Sequence, residues 1–508
     1  MKATPCLLKK ATLRGMRSIL RKTATAAAIA GALALNADAA VTNTWAVDAD
    51  GLWTNEANWA TATVPADTGD VANLTFPLTA NRNVTLDAPI TLGELHVGTK
   101  TCTYKLQSTG DGALTLKGLG DAPAVLEQMR GSETCNWELN CGYNLESDVD
   151  IRLHGGGYTK FGSFIGGHDI HLNRGGGNQT LYAVASSPNF TGNWHIHAGT
   201  LMTAGEPFGS TGSGTRTITI YNNATLRNNG NAIIRPNRRI VIDASGGKIM
   251  PNGREMRLDS ADQFAGSGNM TLTDASNWGG SFTLNAANDN FTGAIIAGND
   301  SVVANFGLGE NGSISNSPLI LLANNVASLI VDAKPDGYDV PAGQTVAGVG
   351  GVRGKLNVTT AGATVHPGSY TLPGPAAAPG ILAVTNGLAI ANGGTYLWTL
   401  KSLKDDATGV AGADFSRLDV GAGGVGLAGG VLTLNFTGDA AASGPDSTDA
   451  FWKTDHTWTI LTADAPPSGK LVVSNGKWKN GTFLAQVSGN DLELTYRQGF
   501  DTTLIMVR

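Results

Sequence analysis

Two pairs of histidines lie close together in the chain, His168 with His171 and His195 with His197. Residues two apart on a β-strand point to the same side of a sheet, so His195 and His197 share a face. Imidazole nitrogens are common ligands of transition metals, and neighbouring carboxylates would add oxygen donors. The spacing does not say whether the two pairs meet on stacked strands. Polar alternation on a solvent-facing strand explains all four more simply.

A second set of residues has the chemistry of a polysaccharide lyase. Asp148 and Asp150 share one face of a strand, as calcium ligands do. The segment Arg235-Pro236-Asn237-Arg238 contains the residue types, but not the spacing, of the arginine motif in β-helices like pectate lyase. Alternation on a solvent face again accounts for the aspartates. The sequence therefore assigns no catalytic residue, no cofactor-binding residue and no metal ligand.

Three cysteines follow residue 40, at Cys102, Cys135 and Cys141. An odd number excludes complete pairing within one chain. Export would permit a disulfide, and Cys135 with Cys141 is the pair closest in sequence. Small buried hydrophobic side chains are the alternative interpretation.

Composition indicates a fold built from many short strands. The chain has 508 residues with 68 glycines, 41% hydrophobic residues and only 15% charged residues. Short alternating stretches are separated by Gly, Asn and Asp, and no ten-residue stretch has a clear helical period. We therefore predict an all-β protein with very little helix, in coils of roughly 20–29 residues.

One tetrapeptide occurs twice, with similar residues around it. Asn189-Phe190-Thr191-Gly192 recurs as Asn290-Phe291-Thr292-Gly293, 101 positions later. The first copy is followed by Gly199-Thr200-Leu201, which reads as a tight turn and a new strand. A glycine-containing turn repeated between short strands is typical of a stacked array. These residues are expected to have structural roles.

With these motifs the chain resembles bacterial exported proteins that carry autotransporter-associated β-strand repeats. The family's motifs run roughly Gly-x-Gly-x-Leu, Asn-x-Phe/Tyr-Thr/Ser-Gly and Gly-Thr-Leu, and residues 164–201 and 238–293 are most similar to them. The resemblance implies a right-handed parallel β-helix (a β-solenoid), often at or beyond the outer membrane. The chain ends Met506-Val507-Arg508, without the terminal aromatic residue of an autotransporter barrel, so self-translocation is not expected.

The pattern divides the chain into four parts. Trp45, Trp53 and Trp59 crowd one end of the array, where a buried cap would close its first coil. An aromatic platform for carbohydrate is the alternative interpretation of the three rings. The predicted parts are a signal peptide (1–40), an N-terminal β cap with the first coils (41–105), a β-helix with the repeats (106–365) and a β-rich segment that closes the stack (366–508).

The first 40 residues read as a targeting segment. A basic leader precedes the small apolar run Thr23–Leu35, and Ala37-Asp38-Ala39 supplies a cleavage site. Removing residues 1–40 takes away seven basic residues and one acidic residue, so the formal charge falls from −6 to about −12. An acidic surface disfavours nucleic acid, and we expect no transmembrane span in the mature chain.

These observations predict a non-enzymatic protein exported to the surface, periplasm or surroundings of a Gram-negative-type bacterium. The expected role is an extended scaffold for adhesion or polysaccharide contact, with polysaccharide or other surface proteins as partners. Two alternatives stay open, a β-helical polysaccharide lyase or hydrolase and the passenger of a two-component secretion system.

Overall fold

The computed structural model describes residues 40–499, apart from short gaps at 100–101, 130–136, 155–158, 175–176, 184, 210–213, 231, 275–278, 299–301 and 373. Residues 1–39 of the predicted signal peptide lie outside the described residues, and the chain from Thr42 onward forms one compact unit. Nearly all of its elements are short β-strands that pair in parallel with a strand of the next coil. The predicted all-β, parallel β-helix is therefore confirmed.

One sheet, which we call sheet 2, extends through almost all the coils. Its parallel strands are Gly51–Leu52, Arg82–Leu86, Tyr104–Ser108, Trp137–Leu139, Thr159–Phe161, Thr180–Ala183, Thr200–Ala204, Thr225–Gly230, Gly247–Met250, Met270–Leu272, Ile295–Ala297, Leu319–Leu322, Thr345–Gly348, Thr364–Thr371, Thr395–Leu400, Val431–Phe436 and Val472–Val473. A further strand, Gly374–Pro379, folds back antiparallel on Thr364–Thr371.

Two sheets accompany sheet 2 in the N-terminal half. Sheet 1 has ten strands, Thr42–Thr44, Val71–Leu74, Glu94–Val97, Ala124–Gln128, Val149–Leu153, Ile170–Leu172, Trp194–Ile196, Arg216–Ile220, Arg238–Ile242 and Phe264–Gly266. Sheet 3 has four, Pro89–Leu92, Ala113–Leu116, Tyr143–Leu145 and Phe164–Ile165.

Two other sheets replace them in the C-terminal half. Sheet 4 contains Glu255–Leu258, Ser281–Leu284, Ala304–Leu308, Ala327–Ile330, Gly351–Arg353, Ile381–Val384, Arg417–Val420, His456–Ala463, Asp491–Gln498, Gly481–Ser488 and Lys477–Trp478. Sheet 5 contains Tyr338–Asp339, Leu356–Val358, Leu388–Ile390 and Val425–Gly426. Helix is confined, among the described residues, to Gly438–Ala442 and the 3₁₀ turns Glu56–Asn58 and Phe451–Lys453.

The core is a continuous stack of apolar side chains inside the coils. Strand residues alternate, so that Ile170 and Leu172 are buried while His171 between them points outward. Ile170 pairs with Trp194 of the next coil, and Trp194 pairs with Ile218. Each coil thus covers the apolar surface of its neighbour, which is the main stabilising contribution in such an array.

Coil length changes along the chain. Ile170 and Trp194 are in-register partners 24 residues apart, within the predicted range. Near the C-terminus the partners Leu418 and Leu461 are 43 residues apart. The extra residues include Gly438–Ala442 and the aromatic residues of the C-terminal end.

Buried aromatic residues close both ends of the array. At the N-terminal end the Trp59 ring lies 5.4 Å from that of Trp45 and 4.9 Å from that of Trp53. All three are at most 3% exposed, so no ring face is available to stack on a sugar. At the other end, Trp452 packs edge-on against Tyr496 and the final strands become antiparallel.

Candidate functional site

The two tetrapeptides make the same contacts with the preceding coil but lie on different faces of the β-helix, since the first leads into sheet 1 and the second into sheet 2. Phe190 forms an isolated parallel bridge with Gly166 of the preceding coil, and Phe291 forms the same bridge with Gly266. Both phenylalanine rings are fully buried. In each copy the threonine amide donates to the carbonyl oxygen of that glycine, at 2.8 Å. The repeat therefore joins one coil to the coil before it.

The last glycine of each tetrapeptide allows close contact between coils. A Cβ atom on Gly192 would lie 1.9 Å from the carbonyl oxygen of His168, and one on Gly293 would lie 1.9 Å from that of Gly268. Every other residue type would collide with the backbone there.

The motif Gly199-Thr200-Leu201, which follows the first tetrapeptide, forms a turn that leads into a strand. Gly199 has a φ of 72°, and Thr200 opens the strand Thr200–Ala204, where Leu201 is fully buried.

A buried arginine, which sequence reasoning missed, holds the first tetrapeptide from two coils away. Arg238 has no exposed surface. Its guanidinium donates to the carbonyl oxygens of Phe190 and Gly192, at 2.7 Å each. Arg216 donates to the intervening carbonyl of Thr191 at 2.5 Å. Burial, and then repulsion from Arg216, lowers the pKa of Arg238 to about 10. Only the run of basic residues before Ile240 hinted at this contact.

The histidine pairs do meet across coils, which the sequence left undecided. His171 and His195 are register partners on neighbouring strands of sheet 1, and their rings stack with centroids 4.5 Å apart. His197 stacks on Tyr221 of the following coil, with centroids 4.7 Å apart. We call these three histidines and Tyr221 the imidazole cluster. His168 lies outside it and is paired with Asp148 at 3.6 Å.

Hydrogen bonding defines which nitrogen of His171 carries a proton. Arg174 lies 3.4 Å from Nε2 of His171, and a guanidinium can only donate. Nε2 therefore accepts, and Nδ1 of the neutral ring donates to Nε2 of His197 at 3.2 Å. Burial, and then the Arg174 charge, lowers the pKa of His171 to about 4. Burial likewise lowers the pKa of His197.

The contact between His171 and His197 favours a hydrogen bond over shared metal coordination. Their ring centroids are 5.4 Å apart, and the nearest nitrogens are 3.2 Å apart. For that nitrogen–nitrogen distance, 5.4 Å is close to the largest possible distance between the ring centroids. The two nitrogens therefore face each other along one line. A tetrahedral metal would need both lone pairs to converge on a third point. Within the part of the chain that the structure describes, no three His, Cys, Asp or Glu side chains are arranged to hold a metal ion.

A second hydrogen-bonded chain crosses the imidazole cluster. Nε2 of His195 lies 3.3 Å from Asp169, and Nδ1 lies 3.1 Å from the Tyr221 hydroxyl. Burial acts against ionisation of Asp169, but hydrogen bonds from Asn193 and His195 leave its pKa lowered overall. Burial raises the pKa of Tyr221, so its hydroxyl is a poor nucleophile. The hydrogen bonds from Asp169 through His195 to Tyr221 therefore orient the rings without activating the tyrosine hydroxyl.

Side chains at the turn before sheet 1 fix the register of these coils. The Asp148 carboxylate accepts the Asp169 amide, and the Asp169 carboxylate accepts the Asn193 amide in the next coil. The Asn193 side chain in turn accepts the amide of Thr217. This ladder repeats one contact from coil to coil and so places His171 opposite His195.

The aspartate and arginine considered for lyase chemistry are engaged elsewhere. Asp150 is almost fully buried and pairs with Arg174 at 2.7 Å and Arg152 at 3.2 Å. Arg235 pairs with Glu206 on another coil. The arginine of the lyase-like segment therefore pairs with Glu206, and the partners of Asp150 are two other arginines.

A further Asp–His–Thr arrangement lies near the C-terminal end. Nδ1 of His456 is 2.8 Å from the Asp405 carboxylate, and Nε2 is 3.1 Å from the Thr454 hydroxyl. Nε2 is also 2.5 Å from the carbonyl oxygen of Phe451. Because the Phe451 carbonyl oxygen can only accept, Nε2 donates to it and has no lone pair to take the Thr454 proton.

The proposed disulfide cannot be compared with the structure. Cys141 is buried, and Cys135 lies outside the described residues. The pairing stays a prediction.

Comparison with protein-family models, with curated proteins and with solved structures gave no match. The resemblance to proteins with autotransporter-associated repeats therefore remains an expectation from the motifs. Among the described residues, no helix has the length and apolar character to cross a bilayer.

Proposed function

We propose that this protein is an exported, non-enzymatic scaffold that contacts polysaccharide through the outer surface of sheet 1. The observation that carries the proposal is the alignment of outward-facing polar residues from coil to coil. We call this surface the polar face. It consists of Glu94, His96, Glu127, Arg152, His171 and His195, with the almost fully buried Asp150 paired to Arg152 within it.

Register gives the polar face its regularity. His96 is the register partner of Glu127 on the neighbouring strand, and Glu127 is the register partner of Arg152 in the next coil. Strands in a sheet are about 4.8 Å apart, so hydrogen-bonding groups recur at that spacing along the coils. A repeating polymer meets such a surface with the same contacts many times, and weak contacts then add up.

The charges on the polar face are mixed and mutually paired. His96 lies 2.8 Å from Glu94, and His154 lies 3.2 Å from Glu127. Arg152 pairs with Asp150 at 3.2 Å. These contacts place donors and acceptors side by side on the polar face, which suits the hydroxyl groups of a sugar chain.

Binding to insoluble polysaccharides tests the proposal. The double variant Glu127→Gln, Arg152→Gln removes one acid and one base from the polar face, and we expect capture to fall at least tenfold. The double variant Arg257→Gln, Asp259→Asn makes the same charge change at an exposed pair on sheet 4 and should bind like the parent. Equal capture of both variants would reject the polar face as the binding surface.

Two further measurements address the rest of the proposal. New reducing ends or unsaturated uronides after incubation with the bound polysaccharide would favour the lyase or hydrolase instead. N-terminal sequencing of protein recovered outside the cytoplasm should begin at Ala40 or Val41, and retention of residues 1–39 would argue against the signal peptide.

A further inference from the structure

A cleft of about 390 Å³ lies at the C-terminal end of the array, away from the polar face. This size falls within the usual range of ligand pockets, about 300–1,000 Å³. The side chains that give it chemical character are Ser447, Thr448, Lys453, Lys479 and Gln498. Two lysines, a serine, a threonine and a glutamine thus line one cleft.

Neither cleft lysine forms an ion pair. Among the described residues, no carboxylate lies within ion-pair distance of the ammonium group of Lys453 or Lys479, and the Asp446 carboxylate contacts the backbone amide of Lys479 instead. Arg497, by contrast, lies 2.7 Å from Asp455, and Lys404 lies 3.3 Å from Asp414. In a chain with net charge −6, two unpaired lysines that line one cleft favour an anion there.

Hydrogen bonds hold the wall of the cleft in place. The Asn480 amide donates to the carbonyl oxygens of Pro445 and Ser447, at 3.1 and 2.9 Å. The backbone amide of Lys479 donates to the Asp446 carboxylate at 2.5 Å. The segment that carries Ser447 is therefore fixed against the one that carries Lys479. A cleft formed before binding loses less entropy when a ligand enters.

We propose that this cleft binds an acidic saccharide, with the lysines contacting its carboxylate or sulfate groups and the hydroxyls and amide contacting its sugar hydroxyls. The inference rests on the proposed function and deepens it by naming a ligand class and a second contact point. Lysine ammonium groups bind anions as point charges with three donors each, so they accept either a carboxylate or a sulfate. The polar lining beside them favours a hydroxyl-bearing ligand over a bare anion.

Calorimetric titration of residues 40–508 with trigalacturonate and with maltotriose tests the assignment. We expect trigalacturonate to bind, to weaken as sodium chloride rises from 50 to 300 mM, and to bind more tightly than neutral maltotriose. The double variant Lys453→Ala, Lys479→Ala should weaken binding at least tenfold. The matched double variant Lys470→Ala, Lys477→Ala removes two exposed lysines outside the cleft and should stay within twofold.

Equal affinity for both trisaccharides, or unchanged binding by the cleft variant, would overturn the inference. So would binding of anionic lipid vesicles without binding of trigalacturonate. Circular dichroism of both variants checks that they fold. If trigalacturonate does not bind, or binds the cleft variant unchanged, while the polar-face variant loses capture of insoluble polysaccharide, the cleft inference fails alone. If trigalacturonate binds the cleft but the polar-face variant captures polysaccharide normally, the polar-face proposal fails alone.

Discussion

Gly293 lies where a single methyl group would collide with the backbone of the preceding coil. A Cβ atom there would be 1.9 Å from the carbonyl oxygen of Gly268. The backbone can relieve that contact only by separating two packed coils, so Gly293→Ala should lower the free energy of unfolding by about 3 kcal/mol. Urea denaturation followed by circular dichroism measures the change.

Gly351 supplies the matched control for that substitution. Its added Cβ would meet no atom within 4 Å. Gly351→Ala should therefore change the free energy of unfolding by no more than about 0.5 kcal/mol. Similar losses in both variants would mean that close approach of the coils is not what the repeated glycine provides.

Arg238 stabilises the repeat through carbonyl oxygens instead of a carboxylate. Replacing it by methionine keeps an apolar chain of similar length but leaves the carbonyl oxygens of Phe190 and Gly192 without their donor. Each buried acceptor left unpaired costs about 1–3 kcal/mol, so Arg238→Met should destabilise the protein by about 3 kcal/mol. The exposed pair Arg257–Asp259 offers a comparison, since Arg257→Met should be nearly neutral in the same urea titration. An unchanged free energy of unfolding in Arg238→Met would show that water replaces the guanidinium as the donor to these carbonyl oxygens.

At the scale of the strands, the imidazole cluster predicts acid sensitivity. The folded-state pKa of His171 is lowered from 6.5 to about 4, and that of His197 is lowered too. A histidine with a lowered folded pKa stabilises the fold fully above its unfolded pKa and loses that contribution as pH falls towards the folded value. Stability should therefore decline between about pH 6.5 and pH 4 as protons enter the cluster.

A histidine variant separates this effect from the titration of carboxylates. His171→Gln removes one titrating ring, so its urea midpoint should fall less between pH 7 and pH 4.5 than that of the parent. His168→Gln, at an exposed position outside the cluster, should follow the parent. Parallel pH profiles for all three proteins would contradict a role for the cluster in acid sensitivity.

Strand identity was predictable because it depends on local alternation. Ile170 and Leu172 on either side of His171 are enough to indicate one buried face. Which strands pair depends on the length of each connecting turn, and the alternation of buried and exposed residues within a strand does not indicate that length. The stacking of His171 on His195, 24 residues later, therefore could not be predicted. The Arg238 contact was hidden for the same reason, because it reaches 48 residues back to Phe190.

At the scale of the whole unit, stability is distributed along the stack. Apart from long side chains such as Arg238, each coil contacts only its neighbours, so a solenoid behaves as a sum of coil and interface contributions and not as one indivisible core. The first coil has a neighbour on one side only. Trp45, Trp53 and Trp59 cover its other side, and the amide of Ala60 donates to the Thr44 carbonyl at the exposed edge of sheet 1. Trp452, packed against Trp458 and Tyr496, has the same role at the opposite end.

This distribution predicts that removing one cap loosens only the coils beside it. Trp53 is fully buried, and Trp53→Ala should cost about 3–5 kcal/mol locally. Amide hydrogen exchange measured by mass spectrometry should then quicken in the strands Thr42–Thr44 to Glu94–Val97 and stay unchanged in Arg417–Val420. Trp452→Ala should give the reverse pattern, because its neighbours Trp458 and Tyr496 belong to the last strands. Uniform acceleration of exchange in either variant would indicate that the coils unfold as one cooperative unit, and that the caps stabilise all of them together.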